Sequence, residues 1–233
     1  MFIDFDKKFI FIKTLKTGGT SISKMLRNQY TPVNNNNEFK GFTFYKENAL
    51  QIRRGTNILN EKIQTGHIEF NLIKKYFCND IENYFIFSGL RNPFEVELSR
   101  ILYLANFTKK PSFNSLKISR KVRPIICNTF KHNKYFFSQF IKNTRPYNFM
   151  CLYNGEDMSN DHIRLENINE DWERICNKIG INYEKVLHLN SNKSAYNDFN
   201  YSKLFSKKNI QLINNKYSEI FKKYEYQLPN KFK

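Results

Sequence analysis

Apolar residues cluster at 8–14 (KFIFIKT), which predicts a strand. Beyond it Ile22, Met25, Leu26 and Tyr30 recur at helical spacing and predict a helix over about 20–30. A polar stretch around TPVNNNNEF reads as a loop, and residues 61–66 (EKIQTG) read as a short strand leading into a helix through IEFNLIKKYF. The run NYFIFSGL, 83–90, carries no charge and suits the middle of a parallel sheet. A helix should follow at once, with Asn92 as cap, Pro93 in the first turn and Glu95 three residues after the cap. Its core face would be Phe94, Leu98, Ile101, Leu102 and Ala105.

Residues 107–131 are basic and poorly patterned, with Pro111 and Pro124, and predict a loop or irregular insert. After it come a helix around 133–143, a strand near 147–153 and the segment HIRLENI. A helix over 168–179 should turn Ile168, Trp172, Ile175 and Ile179 inward. Another over about 202–225 places Ile210, Ile213, Tyr217, Ile220, Phe221 and Tyr224 on one stripe. No repeat is visible and strands alternate with helices. The expectation is an α/β fold: a mainly parallel central sheet flanked by helices, in one domain over residues 1–233.

Composition changes this picture little. Phenylalanine (23) and tyrosine (14) supply the bulk for a core, so a disordered chain is excluded. No window of about 18 apolar residues exists, so no membrane span is expected. The opening MFIDFDKKFIFIKT is interrupted by Asp4, Asp6, Lys7 and Lys8, unlike a signal peptide, and a cytoplasmic location is expected. Cys78, Cys127, Cys151 and Cys176 form no CxxC pair, which argues against structural zinc and against a disulfide framework. The net charge of +17 favours anionic partners. Its basic residues are dispersed over the chain, and no basic helix or arm suited to nucleic acid stands out. A nucleic-acid-binding or nucleotide-binding protein without transferase activity is the alternative reading.

Candidate chemistry begins where the first predicted strand meets its helix, at KTGGTS (16–21). In open α/β sheets ligands sit at such strand-to-helix loops. Gly18 and Gly19 let successive N–H groups converge on an anion, and the helix N-terminus adds its dipole. Thr17, Thr20 and Ser21 bring hydroxyls. Lys16 brings a full charge, on the order of 4 kcal/mol of attraction at contact distance and an effective dielectric of 20. The nucleotide-triphosphatase loop places its lysine after the glycines, whereas Lys16 precedes them, which disfavours a kinase or ATPase.

These residues resemble the phosphosulfate loop of sulfotransferases that use 3′-phosphoadenosine-5′-phosphosulfate (PAPS). The likeness is to their carbohydrate-directed branch, which includes the heparan sulfate 2-O-sulfotransferases. Lys16 to Ser21 match that loop, and Leu15 stands where the family usually has proline. FIFSGLRNPFEVELSRILYL (85–104) resembles the family's 3′-phosphate element, with Arg91, Asn92, Pro93 and Ser99 at its spacing. TGHIEF (65–70) resembles its GH segment, where a histidine, here His67, serves as general base. LENINEDW (165–172) resembles a late acidic stretch, with Trp172 read as core and Asp171 as cap or helix surface. HLNSNKSAYNDF (188–199) resembles a late loop in which Lys193 and Ser194 would donate to the 3′-phosphate.

The resemblance implies a P-loop-like sulfotransferase fold and transfer of a sulfuryl group from PAPS to an acceptor hydroxyl, without a metal. Lys16 and His67 would be catalytic, and Lys16, Thr17, Gly18, Gly19, Thr20, Ser21, Arg91, Ser99, Lys193 and Ser194 would bind the donor. The acceptor implied is a hydroxyl-bearing glycan of acidic character; a glycolipid or protein tyrosine remains open. Loops 31–60 and 107–131 would line its side.

Overall fold

Phe9-Ile10-Phe11-Ile12 alternates ring and branched chain, and all four side chains are buried. A strand buries both faces only when each is covered, and here each face has its own cluster. Phe2, Phe9, Phe11 and Phe87 pack with Ile22, Leu26, Trp172 and Ile175, while Ile3, Ile10, Ile12 and Ile86 pack with Ile68, Phe70 and Ile73. This computed structural model describes residues 1–33, 42–52, 56–58, 61–63, 67–77, 80–107, 133–186 and 203–232.

In chain order the elements are β1 (Phe2–Asp4), β2 (Phe9–Ile12), α1 (Gly19–Asn28), β3 (Phe42–Tyr45), β4 (Ala49–Ile52), β5 (Thr56–Ile58) and β6 (Glu61–Ile63). Then follow α2 (Phe70–Tyr76), β7 (Phe85–Leu90), α3 (Pro93–Phe107), α4 (Lys134–Asn143), β8 (Leu152–Tyr153), β9 (Glu156–Asp157) and β10 (Asp161–Arg164). Last come α5 (Ile168–Ile179), α6 (Lys207–Lys216) and α7 (Ser218–Tyr224). They group into two compact units, Met1–Arg91 with Tyr147–Ser191 and Asn92–Pro146 with Asn192–Lys233.

The first unit holds a six-stranded sheet in the order β10-β7-β2-β1-β4-β3. It is α/β, with α1 and α5 packed on one face and α2 on the other. The expected mainly parallel sheet is corrected: β10, β7 and β2 run parallel, but β1, β4 and β3 join antiparallel. The reason is local. Asp4 Oδ1 accepts the amides of Asp6 (3.0 Å) and Lys7 (2.6 Å), and Lys8 takes φ 52°, which folds β1 back on β2. Asn48, at φ 50°, closes the β3–β4 turn in the same way. Tight turns of this kind can only join antiparallel neighbours.

Other expectations meet the structure unevenly. The strand predicted near 147–153 is instead a turn and a short 3₁₀ segment, Phe149–Cys151, before the β8–β9 hairpin. Residues 42–45 and 49–52, read within a loop, are strands. The helix over 168–179 is found with Ile168, Trp172, Ile175 and Ile179 buried. Asp171 differs from its reading as cap or helix surface. It is buried and grips Arg164 twice, at 2.8 Å from Nε and 2.9 Å from Nη2. Residues 108–132 and 187–202 lie outside the described residues, and with them most of the predicted insert and the late loop.

In the second unit α3 begins as expected, the Asn92 side chain accepting the Phe94 amide at 3.1 Å. Phe94, Leu98, Ile101 and Leu102 are buried. The predicted helix over 202–225 is two, parted at Tyr217, whose hydroxyl reaches 2.5 Å to the buried Glu97 carboxylate. The same oxygen accepts from Arg100 (3.0 Å) and Lys216 (2.8 Å), so a single carboxylate ties α3 to α6.

Candidate functional site

The chain leaves the C-terminal end of β2 at Lys13 and enters α1 at Gly19, and this loop is stitched to β7. Thr14 Oγ1 donates to the Gly89 carbonyl at 2.6 Å, so the Thr17 hydroxyl, 2.6 Å away, donates to Thr14. Both threonines are buried. The Thr17 hydroxyl therefore serves the loop itself. Gly89 makes the stitch feasible. A β-carbon there would sit 2.4 Å from Thr17 Oγ1 and 2.9 Å from the Thr17 carbonyl oxygen.

Two loop residues take left-handed backbone, Lys16 at φ 63° and Gly18 at φ 80°. Gly18 does so freely, whereas a residue with a β-carbon pays roughly 1–2 kcal/mol. A β-carbon on Gly18 would also lie 2.7 Å from Leu165 Cδ1. Gly19 is helical, and its missing side chain is used differently: a β-carbon would meet Lys13 Cγ at 2.7 Å. The Lys13 stem thus lies across the first turn of α1. The helix starts where the amides of Ser21 (2.9 Å) and Ile22 (3.3 Å) return to the Gly18 carbonyl. Gly18, the N-cap residue, has no side chain with which to cap this end, and the positive end of the helix dipole stands at the loop. Thr20 is exposed and Ser21 buried.

Arg91 follows β7, the parallel neighbour of β2, and so reaches the same sheet edge. Its guanidinium Nη1 approaches the Lys16 carbonyl at 3.4 Å. Burial, and then the Arg91 charge, holds the Lys16 ammonium below its usual pKa. Burial, and then Arg27, does the same to Lys13. His67 joins these cations from the segment before α2. Its Nδ1 lies 2.6 Å from the Lys13 carbonyl. A carbonyl only accepts, so Nδ1 carries the hydrogen and Nε2 the basic lone pair. Burial pushes the imidazole down to about 4; the bond to Lys13 opposes this, and the charges of Lys13, the Met1 α-amino group and Lys16 add to it.

The first unit therefore brings together Lys16, Thr17, Gly18, Gly19, Thr20, Ser21, His67 and Arg91. Ser99 is a buried residue of α3 in the second unit. Lys193 and Ser194 lie outside the described residues. The sequence reading does not single out Lys13 or Gly89. Gly89 had a signal, since a glycine inside an apolar strand marks close backbone approach. Among the described residues no group of three His, Cys, Asp or Glu could hold a metal, and no helix is long and apolar enough to cross a membrane.

Comparison with family models, with curated proteins and with solved structures finds no match to this chain.

Proposed function

We propose that the chain is a PAPS-dependent sulfotransferase of P-loop-like fold acting on an acceptor hydroxyl, with an acidic glycan as the favoured acceptor. The observation that carries the reading is the Arg91 guanidinium against the backbone of Lys16 at one sheet edge, Nη1 lying 3.4 Å from the carbonyl and the charge near enough to depress the Lys16 ammonium. A nucleotide with a 5′-phosphosulfate and a 3′-phosphate needs such a pair, and a guanidinium keeps its charge at any working pH. The left-handed Lys16 and Gly18, the two glycines and the N-terminus of α1 fit an oxygen-rich anion.

When bound, PAPS supplies a sulfuryl group whose S–O bond to phosphate breaks as the acceptor oxygen bonds to sulfur. Lys16 and the first turn of α1 would hold the negative charge that develops on the leaving phosphate oxygen. His67 Nε2 would take the acceptor's proton, a contribution of roughly 10²–10⁴-fold. A basicity of about 4 is low for that task. An anion beside Lys13 and Lys16 offsets their repulsion of the imidazolium, so the base strengthens when the donor is present.

Calorimetric titration with adenosine 3′,5′-bisphosphate against ATP tests the reading. Preference for the bisphosphate without Mg²⁺, followed by transfer of labelled sulfate to an acidic glycan, is the expected result. Equal affinity for the two nucleotides, or a Mg²⁺-dependent preference for ATP, would overturn it.

A further inference from the structure

Tyr147 is fully buried, with 0% exposure, yet it is polar at its tip and touches both arms of the candidate site. Its hydroxyl donates to the Arg91 carbonyl at 2.8 Å and accepts from the Arg91 amide at 3.3 Å. Its own carbonyl accepts from the Leu15 amide at 3.5 Å. One residue thus holds the main chain on both sides of the Arg91 side chain and, through its backbone, the loop next to Lys16. Tyr147 lies more than fifty residues from Arg91 along the chain, as the first unit resumes after Pro146.

We infer that Tyr147 is a positioning residue for the nucleotide, a splint that fixes the Arg91 backbone against the β2–α1 loop so that both cations address one ligand. This rests on the sulfotransferase reading. The geometry favours positioning over mere packing. A phenylalanine would fill the same space, so the hydroxyl's value lies in the two bonds to Arg91. With N–H and C=O both engaged, Arg91 cannot swing about its own backbone, and its guanidinium starts from a fixed point.

The test is calorimetric titration of the full chain with adenosine 3′,5′-bisphosphate and, separately, with inorganic sulfate. It uses wild type, Tyr147→Phe, Arg91→Gln and the double variant, with thermal unfolding alongside. Tyr147→Phe should remain folded and bind the bisphosphate roughly tenfold more weakly. Its weak affinity for sulfate, a single-arm ligand, should change less than about twofold, because the loop keeps its own stitches to β7. In the Arg91→Gln background the same substitution should add less than about a further twofold loss, since it acts through Arg91. Additive losses, a parallel loss for both ligands, or an unfolded Tyr147→Phe would make Tyr147 a residue of the fold alone and overturn the role. Wild type that binds the bisphosphate no better than ATP overturns the nucleotide reading. Wild type that prefers the bisphosphate, with an indistinguishable Tyr147→Phe, overturns only the splint.

Discussion

The two halves of the central sheet are built on different rules. β1 turns tightly into β2 and β3 into β4, and what closes each turn lies close by: Asp4 in the first, Asn48 in the second. β2, β7 and β10 run parallel, so long excursions must connect them, and their loops gather at one edge. The antiparallel half holds none of the residues proposed for the site. Left-handed backbone occurs in both halves, at Lys8 and Asn48 as well as at Lys16, but only the parallel half gathers half-buried cations and a depressed histidine at its carboxyl edge, features that a fold selected for stability alone would avoid.

That contrast is open to attack at several strengths. The largest effect belongs to Lys16. Replacement by alanine should lower sulfate transfer at least ~10³-fold. Lys16→Gly should lose as much while leaving chemical-denaturation stability unchanged or higher by up to about 1 kcal/mol, because glycine accepts the left-handed backbone. A Lys16→Gly variant that transfers sulfate normally would erase the functional side of the contrast. Next is Gly89→Ala, which drives a β-carbon into Thr17. Urea titration should show about 3 kcal/mol of destabilisation, and bisphosphate affinity should fall with it.

The third effect depends on pH. His67 titrates at about 4 in the folded protein against an ordinary 6.5. Because the folded value is the lower one, its stabilising contribution is complete above pH 6.5 and drains away as pH falls towards 4. Between pH 7 and pH 5 wild type should lose about 2 kcal/mol more than His67→Gln in urea titrations, and equal slopes would contradict the burial argument. The smallest effect tests the other half. Tyr30→Phe removes a 2.6 Å hydrogen bond to Asp4 Oδ2 and should cost about 1 kcal/mol of stability with bisphosphate affinity unchanged.

How far the fold could be read from the chain follows the same division. The helix over 168–179 was legible because Ile168, Trp172, Ile175 and Ile179 form an apolar stripe on a polar surface. β7 was legible because both its faces are covered. β1, β3 and β4 were not. Each is only three or four residues long, and they carry the polar residues Asp4, Thr43 and Gln51, which interrupt an apolar strand pattern. At the site, the cationic loop and Arg91 announce themselves by residue type. Gly89 and Tyr147 matter through distant partners, a threonine more than seventy residues away in one case and an arginine more than fifty away in the other. The break at Tyr217 is of the same kind, since helical periodicity carries no trace of Glu97 on another helix.

The outermost strand, β3, is Phe-Thr-Phe-Tyr, a composition that readily recruits further strands. Its free side is occupied by the stretch after α1. The Val33 amide donates to the Phe44 carbonyl at 2.9 Å, the Lys46 amide to the Thr31 carbonyl at 2.9 Å, and Pro32 bridges Tyr45. Proline has no amide hydrogen, so this covering stretch ends the ladder instead of extending it. A molecule this rich in phenylalanine thereby keeps this aromatic border shielded from other copies. Replacing residues 31–33 so that this cover is lost should raise light scattering as β3 pairs with other copies.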